Sequence, residues 1–122
     1  MNIQRPDPTA RARELGPEIA AAAAEIERTR RIPDALLERL HESRLFRMLL
    51  PRSAGGDETE PVLYVAAIEE LARHDASVAW NVFVANSSAL IAAYLEPAVN
   101  RAIFADPTSG ATMTTSFNCF LR

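Results

Sequence analysis

The sequence predicts an all-α protein, an antiparallel bundle of about five helices, and three observations lead there. Hydrophobic residues make up 48% of the chain and charged residues 24%, the balance of an ordinary globular domain and far from that of a disordered one. Four glycines and 7% aromatic residues beside abundant alanine argue against many short strands. Apolar residues recur at spacings of three and four, between Pro, Gly and Asp signals that end one helix and start the next. At 122 residues one core is expected, divided as a flexible arm over 1–8, a helical bundle over 9–107 and a tail of undefined structure over 108–122.

A first helix is expected over 9–31. Thr9 can cap it, and Ala12, Leu15, Ile19, Ala22 and Ile26 form one apolar stripe. Gly16-Pro17 predicts a kink or restart, since proline lacks the N–H and crowds the carbonyl four residues back. Ala20 to Ala24 favour helix and close approach, and Arg28, Arg30 and Arg31 suit the end of the helix dipole.

A second helix over 33–43 begins at Pro33 and buries Leu36, Leu37 and Leu40. Leu45, Phe46, Met48, Leu49 and Leu50 then run apolar to Pro51, too short for a helix and placed to pass under the bundle. Ser53 to Asp57, with Gly55-Gly56, forms a turn. Thr59 ahead of Pro61 starts a third helix over 60–74, with Tyr64, Val65, Ile68, Leu71 and Ala72 inward and Glu69–Arg73 and Glu70–His74 paired on the wet side. Asp75 caps a fourth helix over 75–95, so the chain bends sharply there. Glu96-Pro97 opens a last helix over 97–105, ended by Asp106-Pro107.

The fourth helix carries no formal charge from Ala76 to Leu95, a length that could cross a bilayer. Its Asn81, Asn86, Ser87 and Ser88, and the lack of a basic flank, favour a helix buried in a bundle. At 100° per residue Trp80, Phe83, Val84, Leu90, Ile91 and Tyr94 share a bulky face, expected in the core. Ser77, Asn81, Ala85, Ser88 and Ala92 form a small polar stripe that admits another helix or, less commonly, a flat ligand.

A net charge of −3 gives no overall basic field for nucleic acid or an anionic membrane, so neither partner is expected. One cysteine, Cys119, can form no internal disulfide, and no signal-like run opens the chain, which reads as cytoplasmic. No catalytic motif is complete. His41 and His74 lack partners for a triad or a metal site and read as surface or capping residues; Glu69 and Glu70 point about 100° apart and cannot share a proton. Gly55-Gly56 lacks the spaced glycines and strand of a phosphate-cradling loop.

The succession Ile32-Pro33-Asp34, Leu45-Phe46 into Leu50-Pro51, Gly55-Gly56, Glu69-Glu70-Leu71-Ala72 and Asp75-Ala76-Ser77-Val78-Ala79-Trp80 resembles the N-terminal helical domain of the acyl-CoA dehydrogenase superfamily. The Ser-x-Ala-Trp ending and Leu-Phe-Arg-Met-Leu-Leu-Pro look most like its flavin-dependent monooxygenase branch. Arg44 stands where the family usually has glycine. The resemblance covers about Leu15 to Pro107 and implies, for a complete enzyme, FAD or FMN with a small-molecule or acyl-CoA substrate, and a homo-oligomer. It also implies a middle β-domain and a C-terminal bundle that hold the flavin and supply the base.

Two function classes follow. One is the substrate-side domain of such a flavoenzyme, an oxidoreductase acting on CH–CH groups or a monooxygenase. Its fourth helix would wall the pocket with Trp80, Asn81, Val84 and Ser88, and this chain alone would be inactive, with no cofactor bound, and a fragment. The other is a non-enzymatic helical assembly or dimerisation module.

Overall fold

The computed structural model describes residues 7–106. Helices α1 (Pro8–Thr29), α2 (Asp34–Glu42), α3 (Pro61–His74), α4 (Ala76–Ala89) and α5 (Pro97–Phe104) are joined by short 3-10 turns at Leu45–Arg47, Arg52–Ala54 and Leu90–Tyr94. Among the described residues there is no strand. The arm ahead of Asp7, the tail over 108–122 and Cys119 lie outside them.

Helix α1 is capped by Asp7, whose carboxylate accepts from the Thr9 N–H at 3.0 Å, with Pro8 in the first turn; the cap expected of Thr9 belongs to Asp7. The helix runs through Pro17 without the expected restart. The clash that normally keeps a residue before proline out of helix involves its Cβ, and Gly16 has none. Gly16 is also pressed by His74: a Cβ there would stand 2.5 Å from the His74 Nε2.

Leu15, Ile19 and Ala12 of α1 pack with Leu36 and Leu40 of α2, with Tyr64, Ala67 and Leu71 of α3, and with Val78, Val82 and Ala85 of α4. The most extensive helix pairing is α1 with α3, followed by α3 with α4. As expected, α3 and α4 form a hairpin linked by one extended residue: the Asp75 carboxylate accepts from the Val78 N–H at 2.9 Å. Tyr64 and Phe83, at 6.4 Å between ring centroids, meet across it. On α3, Tyr64 and Leu71 are buried as expected, whereas Val65 and Ala72 are exposed.

The apolar run threads the bundle: Leu45 and Met48 are fully buried, and Leu50 joins Ala89, Ala92 and Phe104 in a second small cluster. Arg44 adopts a left-handed backbone (φ 62°). Its guanidinium holds that conformation in place through Asp57 Oδ1 at 3.0 Å and the Gly55 carbonyl at 2.6 Å. The Asp57 side chain, only 7% exposed in a half-buried residue, also meets Arg11 at 3.1 Å, tying the turn to α1. Gly56 is required by close approach, since a Cβ would stand 1.8 Å from the Leu50 carbonyl oxygen.

Candidate functional site

Helix α4 is inverted relative to the expected burial. Its inward side is small: Val78, Ala79, Val82, Ala85, Asn86 and Ala89 are buried. The bulky residues expected in the core face outward, Trp80 at 52% exposed, Phe83 at 39%, Leu90 at 49%, Ile91 at 57% and Tyr94 at 89%. The reason is spacing: α3 and the 45–47 turn both come against α4, and small side chains let two neighbours approach one helix. By length and composition alone the stretch Ala76–Tyr94 could cross a membrane. Its small side packs inside the bundle.

Between the two sides runs a half-buried flank. Asn81, Val84 and Ser88 lie on it, and Trp80 stands at its exposed edge, stacked on Phe83 at 5.8 Å. Asn81 and Ser88 are seven positions apart, within about 20° of the same line and about 10 Å apart along the axis. The Asn81 amide donates to the Ser77 carbonyl at 2.8 Å, which orients it along the helix. The small stripe expected from the sequence is thus split, with Ala85 and Ala92 buried, Asn81 and Ser88 half-buried and Ser77 exposed. The four residues named from sequence share one side of one helix, an amide, a hydroxyl, a valine and an indole that can meet the edge and face of a flat molecule. Tyr64 of α3 meets α4 at Phe83 and Ser87 instead, its hydroxyl 3.4 Å from the Phe83 carbonyl and its pKa pushed up by burial, with a hydrogen bond to Ser87 opposing.

Two polar side chains matter more than their sequence context suggested. Asn86 is fully buried: it accepts from the Leu49 N–H at 2.9 Å and donates to the Leu45 and Val82 carbonyls at 2.8 and 2.9 Å. It therefore fixes the threaded run against α4. A polar residue among the alanines of an uncharged helix was the signal for it. Glu70, expected on the wet side, is 7% exposed and lies 3.4 Å from His74, 3.6 Å from Arg13 and 3.7 Å from Arg73. Burial is sustained because three partners surround the carboxylate. His41 is likewise half-buried, its ring 4.8 Å from Phe46, and its pKa is lowered first by burial and then by Arg47, with Asp106 opposing. No group of three or more His, Cys, Asp or Glu suited to a metal occurs among the described residues.

The described residues form an all-helical domain with a half-buried polar flank on α4. The family described as acyl-CoA dehydrogenase, N-terminal domain, matches residues 10–110, and the chain belongs to it. A stretch of 66 residues is 38% identical to the flavin-dependent monooxygenase, oxygenase subunit HsaA, of Rhodococcus jostii (strain RHA1). That stretch is 54% of this chain and 17% of the relative's length.

Proposed function

We propose that this chain supplies the substrate-side helical part of a flavin-dependent oxidoreductase working in the cytoplasm, a dehydrogenase acting on CH–CH groups or a monooxygenase. The observation that carries the reading is the half-buried polar flank of α4 in a domain of this family. Trp80 and Val84 give an apolar surface for a ring or acyl chain, while Asn81 and Ser88 offer an amide and a hydroxyl to successive polar groups. Similarity to a flavin-dependent monooxygenase favours the oxygenase branch.

Residues 7–106 do not themselves fit a flavin. The flank is one side of one helix, with no second wall facing it in the described residues. FAD or FMN belongs, on this reading, to the parts of a complete enzyme that the family adds, and a small-molecule or acyl-CoA substrate lies between them and α4. The 122-residue chain by itself therefore neither retains flavin nor turns over substrate. The test joins residues 1–106 to the flavin-binding remainder of the HsaA relative. The fusion is expected to retain flavin through gel filtration while the single chain emerges colourless. A yellow single chain with stoichiometric flavin would overturn the reading.

A further inference from the structure

Helix α5 stands apart from the main core. Phe104 joins Leu50, Ala89 and Ala92 in the second small cluster, and the principal neighbour of the helix is the 52–54 turn. Two polar side chains tie it down. Asn100 donates to the Ala92 carbonyl at 2.9 Å, and Arg47 Nη2 donates to the Phe104 carbonyl at 2.9 Å and the Asp106 carbonyl at 2.6 Å. A cation at the last carbonyls of a helix also meets the negative end of its dipole. Arg47 belongs to the 45–47 turn, which Asn86 of α4 holds through the Leu45 carbonyl, so the clamp joins α5 to the body of the bundle. Beside the clamp lies His41 of α2, its ring 4.8 Å from that of Phe46, the residue before Arg47. We propose that Arg47 and His41 form an acid-released latch: Arg47 holds the end of α5 while the imidazole is neutral, and protonation of His41 loosens that hold and lets α5 detach.

The charges around His41 set the direction. Arg47 acts on it from the 45–47 turn and Asp106 from the end of α5; burial and then Arg47 disfavour the imidazolium, and Asp106 opposes them. Arg47 is itself lowered by burial and then by Arg44, with Asp106 and Asp57 opposing, so an imidazolium adds a further like charge to a crowded cation. On α2, Glu38 and Glu42 are exposed, and Arg39 engages Glu42 at 3.1 Å. From α1, Glu18 pairs with Arg39 and Arg11 donates to the Ser43 carbonyl. Since the latched form disfavours the proton, the proton disfavours the latched form. The hold is fully present above the ordinary 6.5 and is lost as pH falls through the depressed folded value. Detachment uncovers Leu50, Ala89 and Ala92, while the larger core around Leu15, Ile19 and Leu71 stays closed.

The test is amide hydrogen exchange of the 122-residue chain, read helix by helix between about pH 7.5 and about pH 5.5, with the intrinsic pH dependence of exchange divided out. At the upper pH the α5 amides should be protected. Arg47→Met should speed their exchange about tenfold or more while α1 and α3 keep their protection. Arg47→Lys keeps the charge and the stem with a single ammonium for the two carbonyls, and should fall between parent and Met. On acidification the parent should lose α5 protection severalfold ahead of α1 and α3, and His41→Gln, which cannot take up the proton, should keep it. Four results overturn the proposal: α5 amides unprotected in the parent at the upper pH, Arg47→Met and Arg47→Lys both exchanging like the parent or both opening every helix together, acid opening α1 and α3 along with α5, or His41→Gln opening as the parent does. Flavin plays no part in this readout, so the latch and the flavoenzyme reading fail separately.

Discussion

The side-chain amide of Asn86 bridges two backbone groups of the threaded run, accepting from the Leu49 N–H and donating to the Leu45 carbonyl, at a position fully closed to water. Replacing Asn86 with Leu strands both groups in the core. A loss of about 2–4 kcal/mol of unfolding free energy is expected, since each buried unsatisfied group costs about 1–3 kcal/mol. Asn86→Asp keeps the acceptor for Leu49 and removes the donor to Leu45, at the added cost of a buried charge. Urea unfolding followed by circular dichroism measures all three chains, and a Leu variant as stable as the parent contradicts the assignment.

Gly55 and Gly56 differ in what they require, and alanine at each separates the two. At Gly55 the backbone is left-handed with φ 85°, so Gly55→Ala costs about 1–2 kcal/mol of conformational strain. At Gly56 the added carbon meets the fixed Leu50 carbonyl, and the turn must open. Gly56→Ala should therefore be the more damaging of the two, by a margin that thermal melts resolve easily.

Asp57 links α1 to the turn through Arg11 and Arg44. Asp57→Ala leaves two guanidinium groups without their shared carboxylate in a largely buried setting, for a loss on the order of 3 kcal/mol. Arg44→Gly removes the left-handed strain and also the ion pair. It should cost less than Arg44→Ala, which loses the pair and keeps the strain. Equal stability of the Gly and Ala variants would show that the φ of 62° carries no strain.

The outline of the fold was legible because helix caps and proline positions are local. Asp75, Pro61 and Pro97 mark helix starts in sequence and in the structure, within a residue of the expected boundaries. The facing of α4 was not legible. Periodicity separates its two sides, but size suggests that Trp80 and Phe83 go inside, while the close approach of α3 and the 45–47 turn selects Ala79, Ala85 and Ala89. Glu70 misled for a related reason: an i,i+4 partner at His74 looks like a surface pair until Arg13 of α1 arrives from elsewhere in the chain. For the candidate site, the shared line of Asn81 and Ser88 follows from their spacing alone, whereas their partial burial depends on which side turns inward.

His41 sets a pH dependence. Its folded pKa lies below the ordinary 6.5 because burial, and Arg47 nearby, disfavour the imidazolium. The unfolded chain thus takes up the proton more readily. The contribution is fully present above pH 6.5 and is lost as pH falls through the depressed folded value. Melting temperature should fall on acidification across that window, and His41→Gln should flatten that part of the profile. A His41→Gln chain with the parent's full pH dependence contradicts the assignment.

The claim that the α4 flank walls a substrate pocket is tested most directly in the fusion with the flavin-binding remainder of the HsaA relative. There, Asn81→Ala and Ser88→Ala are made separately and KM, kcat and melting temperature are measured together. The pocket assignment predicts a severalfold change in KM or kcat at each position with melting temperature held within a few degrees, as expected of half-buried side chains that contact substrate. Unchanged kinetic constants beside a lowered melting temperature would contradict it and leave Asn81 and Ser88 as packing residues.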